Sequence, residues 1–584
     1  MAASSKFSKV LSDLNRDRLF IILCAVIGVL GGALAVAFHL AITCTFKGVW
    51  HLGGIFGEEY RLYLMPLFPF LAGAAVGICV NTFAKSASGG GIPQTKRVFF
   101  NNFGIFKIRD IFYRFILSAF FIGGGNSAGR EGPTVHLCAS LSSVIAQKFG
   151  LSKSGVRDAV PAGIGAGISA SFNAPLSAVS FVFEEFFGGF ANAKGAGGLF
   201  IAVAAAAAVS RILLGENPVL AVSNVEFHTG WWMMACVPIA VIAGFAGHWF
   251  LEGILRLRKF LLRFEKTPKW IWTALGGLLV GILATISYAW SGYDSVFAIG
   301  YNVLPLAFDG NVALRAMLVI LVFKFACTLI NYASGGSGGV FSGTIVIGGM
   351  LGGVLGALSC SIFALDSSII GACLMMGIGA CLASIVRCPI TSILMIFELT
   401  LNYSLIIPII IGNLTAYFIS TRLTPIGLYD GILLQDKITL KKMASFRGRR
   451  DWANLPVSAI MTFSVEGVAA SKRAGEEFER LKNSVHHYRS YAVFDDAGGF
   501  AGFAKYADLS DKSSANLLCA ELISSPPKTF ITPDVSITKA ANYLIEKDVL
   551  EVAVAAADSP EKLLGILTLH DITRQQNASE NFEE

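Results

Sequence analysis

The chain has 584 residues, of which 54% are hydrophobic and only 15% are charged, and its mean hydropathy is +0.64. Soluble domains usually carry about a quarter charged residues, so most of this chain is expected to lie in lipid. The net charge of +7 is modest, and basic residues cluster near helix ends and in one linker, which argues against nucleic acid as a partner. The 11 cysteines lie mostly in apolar runs without paired spacing, so we expect neither a disulfide framework nor a metal site.

Long runs without Asp, Glu, Lys or Arg follow one another along the first three quarters of the chain. They include residues 19–46, 62–84, 227–251, 270–293, 325–365, 367–386 and 399–421. Most exceed the roughly 20 residues needed to cross the hydrocarbon core, so we predict an all-α polytopic membrane domain over residues 19–435. The polar segment 1–18 carries Lys6, Lys9, Arg16 and Arg18, which the positive-inside rule places in the cytoplasm.

The membrane domain contains an internal repeat. The segment Gly163-Ile164-Gly165-Ala166 recurs as Gly377-Ile378-Gly379-Ala380, and at the same offset Pro175 matches Pro389, Phe183 matches Phe397 and Glu184 matches Glu398. A chance likeness of glycine-rich helices is the alternative, but Pro and Glu are rare in membrane helices without cause. We predict two inverted-topology repeats, about 19–215 and 227–425, with the substrate site between them.

Glycine-rich breaks interrupt the apolar helices at residues 86–93 (SASGGGIP), 123–133 (GGGNSAGREGP) and 334–343 (SGGSGGVFSG). Non-helical backbone at membrane depth survives only where it is buried in protein or lines a water-filled cavity. A helix that begins at such a break points free N–H groups and its positive dipole end into the cavity, which suits an anion that must also leave again. The alternative is that these glycines only allow close helix packing.

Arg130 and Glu131 stand at the centre of the second break. Ionised side chains at the bilayer centre cost about 2.5–3.5 kcal/mol, so an intramembrane Glu is a candidate for function and for carrying a proton. A static Arg130–Glu131 ion pair is the structural alternative. Arg130 could equally orient the break.

Five segments appear in a fixed order over residues 19–440: GIP at 91–93, GREGP followed by TVH, FNAP at 172–175 leading into FEE, GGVF at 338–341, and GLYDGIL around Tyr429. They resemble the signature segments of the CLC family of chloride channels and transporters, in particular its bacterial-type members. The resemblance implies broken membrane helices, secondary active exchange of an anion for protons, chloride as the first choice of anion, and a homodimer with one pathway per subunit. It also implies a bacterial inner membrane.

The resemblance implies roles for individual residues. Glu131 resembles the family's gating and proton-carrying glutamate, and Glu185 resembles the internal proton-transfer glutamate; without the resemblance, Glu185 would be read as a helix-end carboxylate. Tyr429 matches the tyrosine whose hydroxyl holds the central anion; alone it would be read as an interfacial residue. The anion-binding residues expected in this way are Gly90, Gly91, Ile92, Arg130, Gly132, Val340, Phe341 and Tyr429.

Two positions depart from the family pattern. Gly90 stands where the common GSGIP motif has a Ser whose hydroxyl helps to hold the anion, and Gly343 stands where the third motif usually ends in Pro. The Ser position is where members differ between chloride and nitrate, so nitrate and bromide stay open as substrates. On this basis Gly90→Ser is expected to strengthen chloride binding relative to nitrate.

After a basic linker, residues 436–452, the sequence reads as two soluble α/β units, 453–512 and 513–584. Each contains a strand, a turn, a second strand and a helix opened by Asp508 or Asp571. The pair resembles tandem CBS domains, which would lie in the cytoplasm. That resemblance implies an adenine nucleotide held by Thr568 and Asp571, whereas Lys505 leaves the first unit without the matching hydroxyl. A dimerisation scaffold without nucleotide is the alternative, because one short motif is weak evidence.

Several functions remain open from the sequence. We expect a transporter rather than an enzyme, with no cofactor required for transport. A gated passive chloride channel of the same fold is the first alternative, although the acid at Glu185 favours the antiporter. A fluoride exporter is disfavoured by Gly90 and by the region around Phe341. A membrane-anchored nucleotide sensor would carry no ion flux.

Overall fold

The computed structural model describes residues 16–55, 57–187, 193–215, 235–264, 266–363, 369–400, 402–438, 440, 455–463, 465–484, 488–525, 530–556 and 559–581. The predicted N-terminal segment up to residue 15 and most of the predicted linker 436–452 lie outside this described part. Contacts divide the chain into two compact units, Met1–Leu440 and Lys441–Glu584.

The first half of the membrane unit is helical. Its helices are α1 (Arg16–Gly53), α2 (Glu58–Leu64), α3 (Leu67–Thr82), α4 (Ile92–Asn101), α5 (Ile108–Gly123), α6 (Glu131–Lys148), α7 (Lys153–Phe172), α8 (Pro175–Val182) and α9 (Ala193–Leu214). A short π-helical turn, Phe183–Phe187, extends α8 and carries Glu185.

The second half repeats this pattern. Its helices are α10 (Cys236–Leu262), α11 (Lys269–Ser291), α12 (Val303–Phe308), α13 (Leu314–Ala333), α14 (Phe341–Phe363), α15 (Ile369–Ile385), α16 (Pro389–Thr400), α17 (Ile406–Leu423) and α18 (Leu428–Gln435). Among the described residues, eight helical spans are long and apolar enough to cross a membrane. The predicted polytopic all-α fold with broken helices is therefore confirmed.

The two halves share an unusual backbone turn at matching positions. Asn173 and Arg387 both adopt a left-handed conformation, with φ of 56° and 67°, which is uncommon for residues other than glycine. Asn173 directly follows the end of α7 and Arg387 lies two residues after the end of α15; in both cases the next helix begins two residues later, at Pro175 or Pro389. Proline suits the first turn of a helix because its missing N–H would have no partner there. Both copies of the sequence repeat thus consist of two helices joined by the same left-handed turn.

The short helices α8 and α16 are capped across the repeat. Glu398, at the end of α16, accepts hydrogen bonds from two consecutive backbone N–H groups at the start of α8, at 2.7 and 2.8 Å. Glu184, after α8, accepts two from the start of α16, at 3.0 and 2.7 Å. A carboxylate at a helix N-terminus satisfies orphan donors and the positive dipole end. The matched glutamates therefore join the two halves, which explains why the repeat retains them.

Repeated glycines bring equivalent helices together. A Cβ added at Gly163 in α7 would lie 2.3 Å from the carbonyl oxygen of Cys138 in α6, and one at Gly377 in α15 would lie 2.2 Å from that of Gly348 in α14. Only glycine allows backbones to approach this closely. Close packing therefore accounts for these helical glycines.

The second unit contains two small sheets, and its elements form two series. The first is β1 (Gly467–Ala469), α19 (Ala474–Lys482), β2 (Ser490–Phe494), β3 (Phe500–Lys505), α20 (Tyr506–Ser510) and β4 (Ile523–Ser525). The second is β5 (Phe530–Ile531), α21 (Ile537–Glu546), β6 (Glu551–Ala556), β7 (Ser559–Thr568) and α22 (Leu569–Asn581). In each sheet a first strand pairs parallel with a second, which pairs antiparallel with a third, and β4 adds an antiparallel edge to β3. This internal likeness is typical of tandem CBS domains.

The predicted boundaries of the two CBS units, 453–512 and 513–584, do not follow the sheets. β4 pairs with β3, so the first sheet extends to Ser525. The segment 455–463 joins the second sheet instead, because Val457 is buried among its apolar residues and Thr462 bridges to Ile566. Residues 455–463 thus belong to the core of the second CBS unit, although they precede the first one in sequence. Local strand signals do not reveal this exchange.

We predict that Glu398→Gln lowers the stability of the purified protein. Gln keeps one acceptor oxygen but loses the charge that faces the N-terminus of α8, and hydrogen bonds to charged groups contribute about 1.5–3 kcal/mol. Thermal unfolding in detergent should show a clear fall in Tm. Glu252→Gln, which removes an exposed ion pair with Arg256, is the matched control and should change little. Equal effects of the two substitutions would contradict the capping role.

Candidate anion and proton site

The three glycine-rich breaks meet in the structure. Gly129 and Gly339 form an antiparallel bridge with two backbone hydrogen bonds, at 2.6 and 2.8 Å, which joins the second and third breaks. The first break packs on the second, since a Cβ at Gly91 would lie 2.2 Å from the carbonyl oxygen of Gly132 and one at Gly132 would lie 2.0 Å from that of Gly90. No residue with a side chain fits at these two positions without moving the backbone.

Helix N-termini therefore gather at one place between the halves. Helix α4 starts after its N-cap Gly91, and α6 starts after its N-cap Arg130. Helix α14 starts at Phe341. Helix α18 contacts α4 and carries Tyr429 in its first turn. The positive dipole ends and unpaired N–H groups of such helices attract an anion without a full positive charge. The predicted residues Gly90, Gly91, Ile92, Gly132, Val340, Phe341 and Tyr429 are all buried in these segments.

Glu131, at the first position of α6, is 2% exposed. Its carboxylate accepts hydrogen bonds from the hydroxyl of Tyr301, at 2.9 Å, and from the hydroxyl of Ser342, at 2.5 Å. Ser342 is the second residue of α14, so the carboxylate lies against the N-terminus of a helix of the other half. The side chain thus occupies a position that suits an anion.

Arg130 points away from this carboxylate. Its guanidinium donates to the carbonyl oxygen of Ser171 at 2.9 Å and also contacts Nδ1 of His39, whereas its Nε lies 3.9 Å from the carboxylate of Glu131. Arg130 thereby ties the second break to α1 and α7. The hydroxyls hold Glu131, and the guanidinium positions the second break; the expected part of Arg130 in anion binding stays a prediction.

Glu185 belongs to a charged cluster that also contains the buried Lys96 and the partly exposed Asp430. The ammonium of Lys96 lies 2.8 Å from Glu185 and 2.7 Å from Asp430, and Lys96 is 3% exposed. Lys96 thus pairs with two carboxylates at once, one from the turn that extends α8 and one from α18. Glu185, Asp430 and Tyr429 also line a cavity of about 230 Å³. Glu185 and the expected anion residue Tyr429 therefore face the same cavity. The sequence alone could not show that these two residues lie together.

Sequence reasoning missed several supporting residues. Ser342 follows Phe341 directly and could have been noted, but Tyr301 comes from a loop far away in the chain. That loop is held by Lys324 of α13, whose buried ammonium donates to three of its carbonyl oxygens, at 3.0–3.3 Å. The first break is held similarly by Arg114, which donates to the carbonyl oxygens of residues 86, 88 and 89. The only local signal for these cations was a charge within an otherwise apolar helix.

The expected nucleotide residues of the second CBS unit bond to each other. The hydroxyl of Thr568 and its backbone N–H both donate to the carboxylate of Asp571, at 2.7 and 3.0 Å, and the N–H of Asp571 returns a bond to the hydroxyl. This arrangement caps α22 at its start. Nucleotide binding at this pair stays a prediction, and the capping bonds give both residues a structural function.

Comparison with known proteins identifies the two parts of the chain. Residues 72–421 match the family described as voltage gated chloride channel, and residues 519–577 match the CBS domain. The H(+)/Cl(-) exchange transporter ClcA of Salmonella arizonae is 31% identical over 432 residues, 71% of this chain and 88% of the relative. The protein of the same name from Citrobacter koseri is 31% identical over 442 residues, 72% of this chain and 90% of the relative.

Solved structures share the fold. A slow cyanobacterial Cl-/H+ antiporter superposes with a TM-score of 0.66 at 22% identity, covering 73% of this chain and 99% of its own. A eukaryotic CLC transporter superposes with a TM-score of 0.59 at 16% identity, covering 94% of this chain and 97% of its own. At these identities the likeness shows the architecture alone.

We predict that Ser342→Ala increases anion flux at neutral pH. The substitution removes a donor from the ionised Glu131, and such a bond contributes about 1.5–3 kcal/mol, so the carboxylate should leave its position more readily. Flux from liposomes is the measurement. Ser359→Ala, in the same helix α14 and bonded only within it, is the matched control and should behave like the parent. An unchanged or lower flux for Ser342→Ala would show that this hydroxyl does not restrain the carboxylate.

Proposed function

Because the chain belongs to the voltage-gated chloride channel family, known as CLC, we propose that it is a secondary active antiporter that exchanges chloride for protons. The observation that carries the proposal is the carboxylate of Glu131 bonded to Ser342 at the N-terminus of α14. There, one titratable side chain competes with the anion for the same donors. Relatives named as H(+)/Cl(-) exchange transporters support the same reaction.

The exchange follows from the two protonation states of Glu131. Ionised, the carboxylate accepts from Tyr301 and Ser342 and excludes an anion from the N-terminus of α14. Protonated, it loses its charge and holds these donors less strongly, because hydrogen bonds to ionised groups are about twice as strong. The side chain then leaves, and chloride takes the helix N-termini. Each chloride that passes is thereby linked to a proton bound or released at Glu131.

Protons reach Glu131 from the other side of the central anion position through Glu185. The ammonium of Lys96 lies against both Glu185 and Asp430 and stabilises the negative charge that remains when Glu185 gives up its proton. Glu185 can therefore bind a proton and release it again. Tyr429 lines the same cavity as Glu185. We assign it to the central anion, between the two acids.

The protein is an integral membrane protein, and we propose the bacterial inner membrane as its site. In that arrangement the N-terminus and the CBS domains face the cytoplasm, in keeping with the basic residues of the first 18 positions. We further propose a homodimer with one pathway per subunit. Nitrate and bromide are the other anions to compare with chloride.

Simultaneous recording of chloride and proton flux from liposomes that contain the purified protein tests the proposal. Glu131→Gln should still pass chloride but move no protons, because Gln keeps the size and cannot titrate. Glu185→Gln should also lose proton movement while keeping the gate at Glu131. Glu184→Gln is the matched control: its carboxylate caps α16, so the ratio of chloride to protons should stay that of the parent.

Two outcomes would overturn parts of the proposal. Proton exchange at the parental ratio in Glu131→Gln would make Glu131 a structural residue. Chloride flux without proton movement in the parent would assign the protein as a passive channel, the alternative of the same fold.

A further inference from the structure

The phenol of Tyr332 has a buried hydroxyl for which the described residues offer no hydrogen-bond partner. Tyr332 lies at the end of α13, just before the third break, and is 7% exposed. No group in the described part of the chain forms a hydrogen bond with its hydroxyl oxygen. Buried hydroxyls nearly always find a partner because leaving one unpaired is costly, so an unpaired hydroxyl calls for an explanation. The surroundings of this oxygen supply one.

Tyr332 fills the space beside Gly90. A Cβ built on Gly90 would lie 2.6 Å from the Tyr332 hydroxyl oxygen, 2.6 Å from its Cε2 and 3.0 Å from its Cζ. The hydroxyl therefore lies where the first atoms of a side chain at position 90 would be. Position 90 is directly before Gly91, the N-cap of α4, so the phenol reaches the N-terminus of that helix. Tyr429, the expected anion residue, lies in the first turn of α18, which also contacts α4.

The two tyrosines come from different parts of the second half, α13 and α18, and approach the start of α4. A neutral O–H is a donor of partial charge, which attracts an anion and lets it leave again. A phenol also has few rotatable bonds, so it presents its donor with little loss of entropy. These properties suit a site that must bind and release chloride in every cycle.

We propose that the Tyr332 hydroxyl donates to the central anion and replaces the side-chain donor that Gly90 cannot supply. The inference rests on the proposed function, because it concerns the anion pathway of the antiporter. Because Gly90 has no side chain, it leaves room for the phenol ring, which supplies the donor in place of a serine hydroxyl. The proposal also reverses the expectation for Gly90→Ser: the added side chain would clash with the ring and weaken chloride binding.

The test measures chloride binding to the purified full-length protein by calorimetry. Tyr332→Phe removes one oxygen atom and should weaken chloride binding roughly two- to tenfold, the range for one neutral hydrogen bond. Tyr288→Phe is the matched control: Tyr288 lies in α11 with its ring edge-on to Trp50, and its loss of a hydroxyl should leave binding unchanged.

Thermal unfolding separates a ligand from a structural group. In chloride-free buffer Tyr332→Phe should unfold at the parental temperature or above it, because the hydroxyl makes no hydrogen bond with any residue that the structure describes. Added chloride should then raise the Tm of this variant less than that of the parent. A lower Tm without chloride would mean that the hydroxyl is structural, which overturns the proposal.

Substitutions at position 90 test the geometry directly. Gly90→Ser alone should bind chloride more weakly than the parent. Combining it with Tyr332→Ala should restore binding above that of Tyr332→Ala alone, because the introduced hydroxymethyl group then has room. Tighter binding by Gly90→Ser alone would show that the ring is not in the way and would overturn the proposal.

The calorimetric assay measures chloride binding at one fixed pH and does not depend on proton transport. The inference about Tyr332 and the proposed function can therefore fail separately. A parent that binds chloride but moves no protons refutes antiport and leaves the Tyr332 comparison readable. If the parent prefers nitrate or bromide, the same comparison is made with that anion. Parental affinity in Tyr332→Phe for the anion that the parent binds overturns the role of the hydroxyl.

Discussion

The two backbone hydrogen bonds between Gly129 and Gly339 hold the membrane domain together at the place where its helices are broken. Backbone that is not helical can stay at membrane depth only if protein surrounds it and pairs its polar groups. The bridge pairs the second break with the third, and Gly91 and Gly132 let the first break approach to van der Waals contact. The N-termini of α4, α6 and α14 are held together by these contacts, since a side chain at Gly91 or Gly132 would force the breaks apart.

The same dependence of one half on the other appears in the short helices α8 and α16. Neither can cap its own N-terminus; each uses a glutamate from its partner, Glu398 or Glu184. Glu131 follows the same rule, because Ser342 and Tyr301, which hold its carboxylate, both belong to the second half. A single repeat would therefore leave polar groups unsatisfied in lipid. The pathway exists only between two halves that have folded against each other.

Much of this arrangement could be predicted from sequence because its signals are local. Glycine runs within apolar sequence mark the breaks, and the acid at Glu131 stands out in an apolar context. The partners of these residues could not be predicted in the same way. Tyr301 and Lys96 reach their acids across long stretches of chain, and Tyr332 looks like an ordinary helix-end aromatic residue until its ring is seen against Gly90. The CBS boundaries failed for a similar reason, because Val457 and Ser525 each cross to a sheet that local strand patterns do not identify.

The central claim is that chloride and protons share one pathway controlled by a titratable side chain. The most direct test imposes a chloride gradient across liposomes that contain the purified parent protein, with equal pH on both sides at the start. We predict that chloride moving down its gradient drives protons in the opposite direction and builds a pH difference, which a proton carrier then dissipates. Rapid chloride movement with no pH change, under conditions where the membrane is tight to protons, would contradict the claim.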